Sequence, residues 1–414
     1  MKFEEYPIAE GIKRSISKLG YKKPTDIQYK SIPPILRGED VLAIAQTGTG
    51  KTAAFAIPVL HILQERKIKG RPDGVKCLVM VPTHELALQT ENVFRVLGKH
   101  TGIKAFAIHG GVEQDPQIKQ LNKGVEVLIA TPGRMFDLVS QGELRLQRVE
   151  ILVLDEADHM LDLGFIKDIR DLMPKLPRKR QTLFFSATID EKIKKIAYSL
   201  VTDAIRIQIS PKDPVARNIE HSVAFIEMED KRFFLEKVIT SHPDQKILVF
   251  VRTKVRAERV KKALERVDIP TETIHGDKEQ QQRQRTMQQF HKGELMVLIA
   301  TDVSARGIDI PDVEYVVNYD LPESPEHYVH RVGRSGRGTR KGQAISFCSK
   351  EEREILASIE QRLGKPIYRT EISKGFYQET IEASRENEET DWQSLLDQEE
   401  AFQKNRKKKR KNRR

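Results

Sequence analysis

Two tandem α/β domains, each built on a parallel sheet, are what this 414-residue sequence predicts. Three observations carry that reading. Short apolar runs alternate with amphipathic stretches up to about residue 209, and continuous β-branched runs with helical spacers mark parallel strands covered on both faces. The alternation stops at 210–217, SPKDPVAR, where two prolines and no periodicity mark a linker, and then begins again. The halves also echo each other: Ile108-His109-Gly110 precedes VLIAT at 127–131, and Ile274-His275-Gly276 precedes VLIAT at 297–301. Matching order at similar spacing argues for two copies of one unit.

Taken in order, the strands of the first domain (1–209) are VLAIA (41–45), CLVMV (77–81), KAFAIH (104–109), VEVLIA (125–130), EILVLD (150–155) and QTLFFS (181–186). Those of the second (218–375) are SVAFIE (222–227), KILVFV (246–251), TETIH (271–275), LMVLIA (295–300), EYVVNY (314–319) and GQAISF (342–347). Residues 376–414 form a tail, expected to be disordered. Its stretch 378–400 carries nine acids against one Arg, and 404–414 carries nine bases and no acid.

Composition narrows the class. No window approaches the run of about 18 apolar residues that a membrane span needs. The start, MKFEEYPIAEGIK, is acidic and broken by Pro7, unlike a secretory signal. Cys77 and Cys348 sit in apolar runs and read as reduced thiols, so a soluble cytoplasmic protein with no membrane partner is expected. The formal charge is +11, and residues 1–377 alone keep +10. A basic body favours a polyanionic partner.

The chemistry starts at AQTGTGKT (45–52), between an apolar run and the helix-like AAFAIPVL. Gly48, Thr49 and Gly50 let backbone N–H groups turn inward around phosphate oxygens, Lys51 brings a charge for the β/γ phosphates, and Thr52 offers a hydroxyl to Mg²⁺. Ala45 stands where the general pattern has Gly, and an ordinary βα turn can look similar. Downstream, EILVLDEAD places Asp155, Glu156 and Asp158 at a strand end. Helix caps account for such acids too; beside a phosphate loop, Asp155 can hold hydrated Mg²⁺ and Glu156 can polarise an attacking water.

DEAD at 155–158 resembles the signature of the DEAD-box ATP-dependent RNA helicases, and further motifs occur in that family's order over roughly residues 1–370. GYKKPTDIQ (20–28) with Phe3 is similar to the adenine-reading segment, which implies that Gln28 bonds the adenine edge and Phe3 stacks on the base. PTHELALQ (82–89), Gly110-Gly111 and TPGR (131–134) resemble RNA-backbone motifs, assigning contacts to Pro82, Thr83, Gly110, Gly111, Thr131, Gly133 and Arg134. SAT (186–188) resembles the coupling segment, with Asp158, Ser186, Thr188 and His330 in that role. LVFVRT (248–253), Gln280 with Arg283, and ATDVSARGIDI (300–310) resemble the remaining RNA and ribose motifs, assigning RNA to Arg252, Thr253, Gln280, Arg283 and Thr301 and the ribose to Asp309. HRVGRSGR (330–337) resembles the arginine-finger motif, with Arg334 and Arg337 on the γ-phosphate; solvated surface charges at Arg331, Arg334 and Arg337 are the competing account. His84 stands where the family usually has Arg, and Val332, Ser335 and Ser304 replace Ile, Thr and Ala.

The resemblance implies two RecA-like domains using ATP and Mg²⁺ on single-stranded RNA or short duplexes with weak sequence preference, with Lys51, Glu156, Arg334 and Arg337 catalytic. The expected activity is RNA-stimulated ATP hydrolysis coupled to local unwinding or to RNA–protein remodelling, by a monomer whose tail meets ribosomal or RNA-decay proteins. Two alternatives belong to other classes: an ATP-gated RNA clamp with little turnover, and a metabolic P-loop kinase, against which HRVGRSGR and the repeated VLIAT argue.

Overall fold

The computed structural model describes residues 2–46, 48–66, 74–189, 191–209, 215, 218–302, 313–336 and 341–383. Asp309, Arg337, Ser304, most of the expected linker and the tail from 384 onward lie outside the described residues. The chain divides into two units, Met1–Lys212 with Arg306–Asp309 and Asp213–Ala305 with Ile310–Arg414.

In the first unit β1 (Val41–Ile44), β2 (Cys77–Met80), β3 (Ala105–Ile108), β4 (Val127–Ala130), β5 (Ile151–Leu154), β6 (Gln181–Ser186) and β7 (Ile205–Gln208) form one parallel sheet in the order β3-β4-β2-β5-β6-β1-β7. Side chains alternate across it. Val41, Ala43, Cys77, Val79, Ile151 and Val153 enter one apolar cluster, and Leu42, Leu78, Met80, Leu128, Leu152 and Leu154 enter the other. Both faces are therefore buried, which is why the strands read as unbroken apolar runs.

The second unit repeats the plan. β8 (Ile219–Phe225), β9 (Ile247–Phe250), β10 (Thr271–Ile274), β11 (Val297–Ala300), β12 (Tyr315–Asn318), β13 (Gly342–Cys348) and β14 (Tyr368–Arg369) form a parallel sheet in the order β10-β11-β9-β12-β13-β8-β14. Counted from the first strand of each unit, the two orders are identical. The copies also share details of bonding: Thr131 N donates to Ile108 O at 3.2 Å, and Thr301 N donates to Ile274 O at 3.4 Å. The first unit differs in having helices Glu10–Lys18 and Asp26–Leu36 before its first strand.

Three expectations need correction. β7 and β14 were not expected; β7 (IRIQ) buries only Ile207 along its length, and β14 has two residues, so neither shows an apolar run. The first strand of the second unit begins at Ile219 rather than 222, because seven of its residues pair with β13. Residues 374–383 are helical, so order continues into the stretch assigned to the tail. That helix is fixed by Tyr377, whose ring lies 4.9 Å from that of Phe234 and whose hydroxyl donates to Asp230 Oδ2 at 2.7 Å. Cys77 and Cys348 are buried free thiols, as expected. Among the described residues no helix is long and apolar enough to cross a membrane.

Candidate active site and nucleic-acid interface

Parallel strands place all their carboxyl ends on one edge of the sheet, where ligands of such folds bind. In the first unit the motifs divide along that edge. The phosphate loop, Asp155–Glu156 and Ser186–Thr188 stand at the ends of the neighbouring strands β1, β5 and β6, while Thr83, Gly110–Gly111 and Thr131–Arg134 come after the neighbouring strands β2, β3 and β4. Arg252–Thr253 and Thr301 come after β9 and β11, the counterparts of β2 and β4.

The phosphate loop is shaped by its glycines. Gly48 (φ +78°) and Gly50 (φ +89°) are left-handed, and helix Lys51–Glu65 starts directly after Gly50. A Cβ at Gly48 would have no neighbour within 4 Å among the described residues, but one at Gly50 would stand 2.5 Å from Gln28 Nε2. Gly50→Ala is thus opposed twice, by about 1–2 kcal/mol of backbone strain and by that collision; the expected result is a tenfold or greater (about 1.4 kcal/mol) loss of ATP affinity, read by nucleotide titration. Lys51 is 6% exposed and its Nζ donates to Ala45 O at 2.8 Å. The ammonium is held inside the loop, and Thr49 Oγ1 closes it by donating to Gln46 O at 2.7 Å.

Gln28 is buried on helix Asp26–Leu36, its Oε1 accepting from Thr25 N at 2.9 Å and its Nε2 donating to Gly50 O at 3.2 Å. One donor and one lone pair of the amide remain, the pair an adenine edge requires. Phe3 is 3% exposed, packed in the core with its ring 6.3 Å from that of Tyr6, so in this conformation it presents no face for stacking.

Asp155 is 2% exposed. Burial pushes its carboxyl up to about 7; nearby Lys51 works against that shift and Glu156 adds to it. Among the described residues no three His, Cys, Asp or Glu side chains gather to hold a metal unaided. A buried carboxylate such as Asp155 beside a phosphate loop suits Mg²⁺, which keeps waters and phosphate oxygens as its other ligands. Glu156 takes φ +50°, ψ +48°, a strained conformation for a non-glycine, as the cap of helix Ala157–Asp162, with Oε2 3.5 Å from His159 Nδ1. Asp158 Oδ2 accepts from Thr188 Oγ1 at 3.2 Å, and Ser186 Oγ donates to Thr188 O at 2.7 Å, which joins the DEAD and SAT segments.

On the other half of the edge, Thr83 caps helix His84–Leu97 by accepting from Leu86 N at 3.2 Å. Thr253 caps helix Lys254–Glu265 in the same way, accepting from Arg256 N at 3.2 Å. The caps share backbone angles as well, φ −129°, ψ 156° and φ −130°, ψ 154°. Pro82 is buried just before the first cap. Arg134 Nη2 donates to Val112 O at 2.7 Å, tying TPGR to the Gly110–Gly111 loop, where the rings of His84 and His109 lie 5.1 Å apart. A Cβ at Gly133 would have no neighbour within 4 Å among the described residues, so its exposed backbone leaves room for a phosphate.

In the second unit Arg252 bonds Glu352 Oε1 at 3.1 Å, and Gln280 begins helix Gln280–Lys292, which also carries Arg283. His330 lies on helix Pro325–Val332 and is half-buried; Arg334, just beyond it, is 6% exposed. Arg331 is 2% exposed and clamps Asp302 with two bonds of 2.6 and 2.7 Å while donating to Asp320 O at 2.6 Å. Burial of Arg331 and Arg334 disposes of the solvated-charge account for both. The Arg331–Asp302 clamp escapes sequence reasoning; its one signal is an aspartate straight after the buried VLIAT run.

Two family models match, the DEAD/DEAH box helicase over residues 25–196 and the helicase conserved C-terminal domain over 230–339. The ATP-dependent RNA helicase CshA of Listeria monocytogenes is 39% identical over 364 residues, covering 88% of this chain and 69% of that protein. The chain belongs to the DEAD-box RNA helicase family. A second DEAD-box relative, the ATP-dependent RNA helicase RhlB of Shewanella amazonensis, is 40% identical over 366 residues, 87% of this chain and 83% of the relative. The structure of S. cerevisiae Dbp5 bound to RNA and ADP BeF3 matches with a TM-score of 0.80 at 31% identity, covering 93% of this chain and 99% of that one. DEAD-box helicase Mss116 bound to ssRNA and UDP-BeF matches with a TM-score of 0.82 at 28% identity, covering 92% and 82%. These matches establish the tandem RecA-like fold expected of a DEAD-box chain.

Proposed function

We propose that this DEAD-box chain is an RNA-dependent ATPase that couples nucleotide hydrolysis to local opening of short RNA duplexes or to displacement of proteins from RNA. The observation that carries the reading is the division of the sheet edge: nucleotide chemistry sits at the ends of β1, β5 and β6, backbone-gripping groups sit after β2, β3 and β4, and the second unit has gripping groups after the equivalent strands. Glycine amides, threonine caps and Arg134 offer hydrogen bonds to phosphate and sugar rather than to base edges, which gives weak sequence preference.

In this reading the loop amides and Lys51 hold the β and γ phosphates, Gln28 reads the adenine, and Glu156 orients and deprotonates the attacking water. Asp155 and Thr52 are the proposed holders of Mg²⁺, which when bound neutralises phosphate charge. Arg334 is proposed as a γ-phosphate guanidinium, and Asp158, Thr188 and Ser186 as the relay from hydrolysis to the RNA groups.

The test is steady-state ATP hydrolysis by the full chain without nucleic acid, with single-stranded RNA, and with DNA of the same sequence. Stimulation by RNA of tenfold or more (about 1.4 kcal/mol of barrier) with DNA inert is the expected result. Tight ATP-dependent RNA binding with no stimulation would favour the clamp instead.

A further inference from the structure

The second unit carries a groove of about 760 Å³ along helix Lys254–Glu265, lined in part by Arg232, Arg256, Arg259, Lys262 and Arg266. Three acids, Glu227, Glu229 and Glu351, also reach it. Arg256 is already engaged, ion-paired with Asp320 at 3.1 Å and lying 5.4 Å from the ring of Tyr319. Arg259, Lys262 and Arg266 are different. They fall three and four residues apart, hence on one helical face, they are exposed, and among the described residues none makes an ion pair. Val255, 55% exposed, adds an apolar footing.

The last described helix of the chain is anchored on the wall of this groove. Glu227, on the groove wall, donates its backbone N–H to the Tyr377 hydroxyl at 3.1 Å, and the helix holding Tyr377 runs to residue 383, about 9 Å further on. The next stretch of chain matches the groove in charge: residues 384–400 hold seven acids against one Arg, with Trp392, Leu395 and Leu396 as their apolar part. From these two facts, where the last described helix is anchored and which charges meet, we infer that the acidic segment 384–400 docks in the groove of its own second unit. Tethering makes the docking intramolecular, at an effective concentration on the order of millimolar, so weak ion pairs suffice to fill the groove. Docking next to Thr253, which lines the groove as well, would set the segment against RNA for the same cations.

Trp392 is the single tryptophan of the chain, so its fluorescence reports the segment alone. Acrylamide quenching of the full chain should be weak at low salt and rise roughly twofold or more in high salt, as screening shortens the reach of the cations. The combined variant Arg259→Glu, Lys262→Glu, Arg266→Glu should show the high-salt quenching at every salt concentration. So should Glu386→Gln, Glu388→Gln, Glu389→Gln, which leaves every described residue in place. Protection should not change on dilution.

Quenching that ignores salt in the unaltered chain would overturn the proposal. Protection that disappears on dilution would assign the segment to a second copy and overturn it too. Unchanged Trp392 quenching in the groove variant, together with weakened RNA binding, would give the groove to RNA instead.

Discussion

Replacing Glu156 with Gln is expected to lower RNA-stimulated ATP turnover by about 10²–10⁴-fold, the usual worth of a positioned general base, while leaving ATP and RNA binding intact. Gln keeps the shape and hydrogen-bonding reach of Glu, and both have the same Cβ, so the strained backbone at φ +50° is no worse served. What disappears is the ability to accept a proton. The ATP–RNA complex should therefore accumulate, visible as slow RNA release in ATP and normal release in ADP. Turnover at the unaltered rate would remove Glu156 from the chemistry and leave it as a helix cap.

A second large effect is expected at Asp155, and it has opposite signs for stability and for activity. Burial raises its carboxyl to about 7, so the folded chain holds a proton that the unfolded chain, with an ordinary aspartate, releases near pH 4. Between those values the folded state binds more protons, and stability falls as pH rises through the window. Each tenfold gain in proton affinity is worth about 1.4 kcal/mol, so the effect at pH 7 reaches at most about 4 kcal/mol. Asp155→Asn should flatten that slope and raise the unfolding temperature at neutral pH, while abolishing turnover. Mg²⁺ with a nucleotide should stabilise the unaltered chain increasingly as pH rises toward 7, and the variant hardly at all. Equal pH slopes in the two proteins would contradict the buried-acid account.

These two neighbours also show what a sequence can and cannot yield. Their place at a strand end is legible from EILVLD, because a strand buried on both faces has to be apolar throughout. The left-handed turn at Glu156 is not, since nothing in the one-letter pattern separates a strained glutamate from a relaxed one. Ile205–Gln208 is missed for the complementary reason: only Ile207 is buried there, and four residues with one buried side chain make no continuous apolar run. The fate of arginines is the least legible. Arg252 and Arg331 look equally free on paper, yet Arg331 is locked on Asp302 and Arg252 reaches Glu352 across a hundred residues of sequence. Pairing over such distances depends on strand order, which only the repeat of IHG and VLIAT hinted at.

Strand order also governs when the first unit can form during synthesis. β1, which carries the phosphate loop, is made early, but its partners are β6 and β7, whose last residues are Ser186 and Gln208. At about 5–20 residues per second the ribosome delivers those partners roughly ten to thirty seconds later. Until then VLAIA waits unpaired, an apolar strand with both edges open, the kind of segment that chaperones bind and that aggregates grow from. Any truncation before residue 181 would leave it permanently in that state, whereas β2 to β5 could already have found one another. The strand that leads into the phosphate loop is thus the first of its sheet to be written and among the last to be paired.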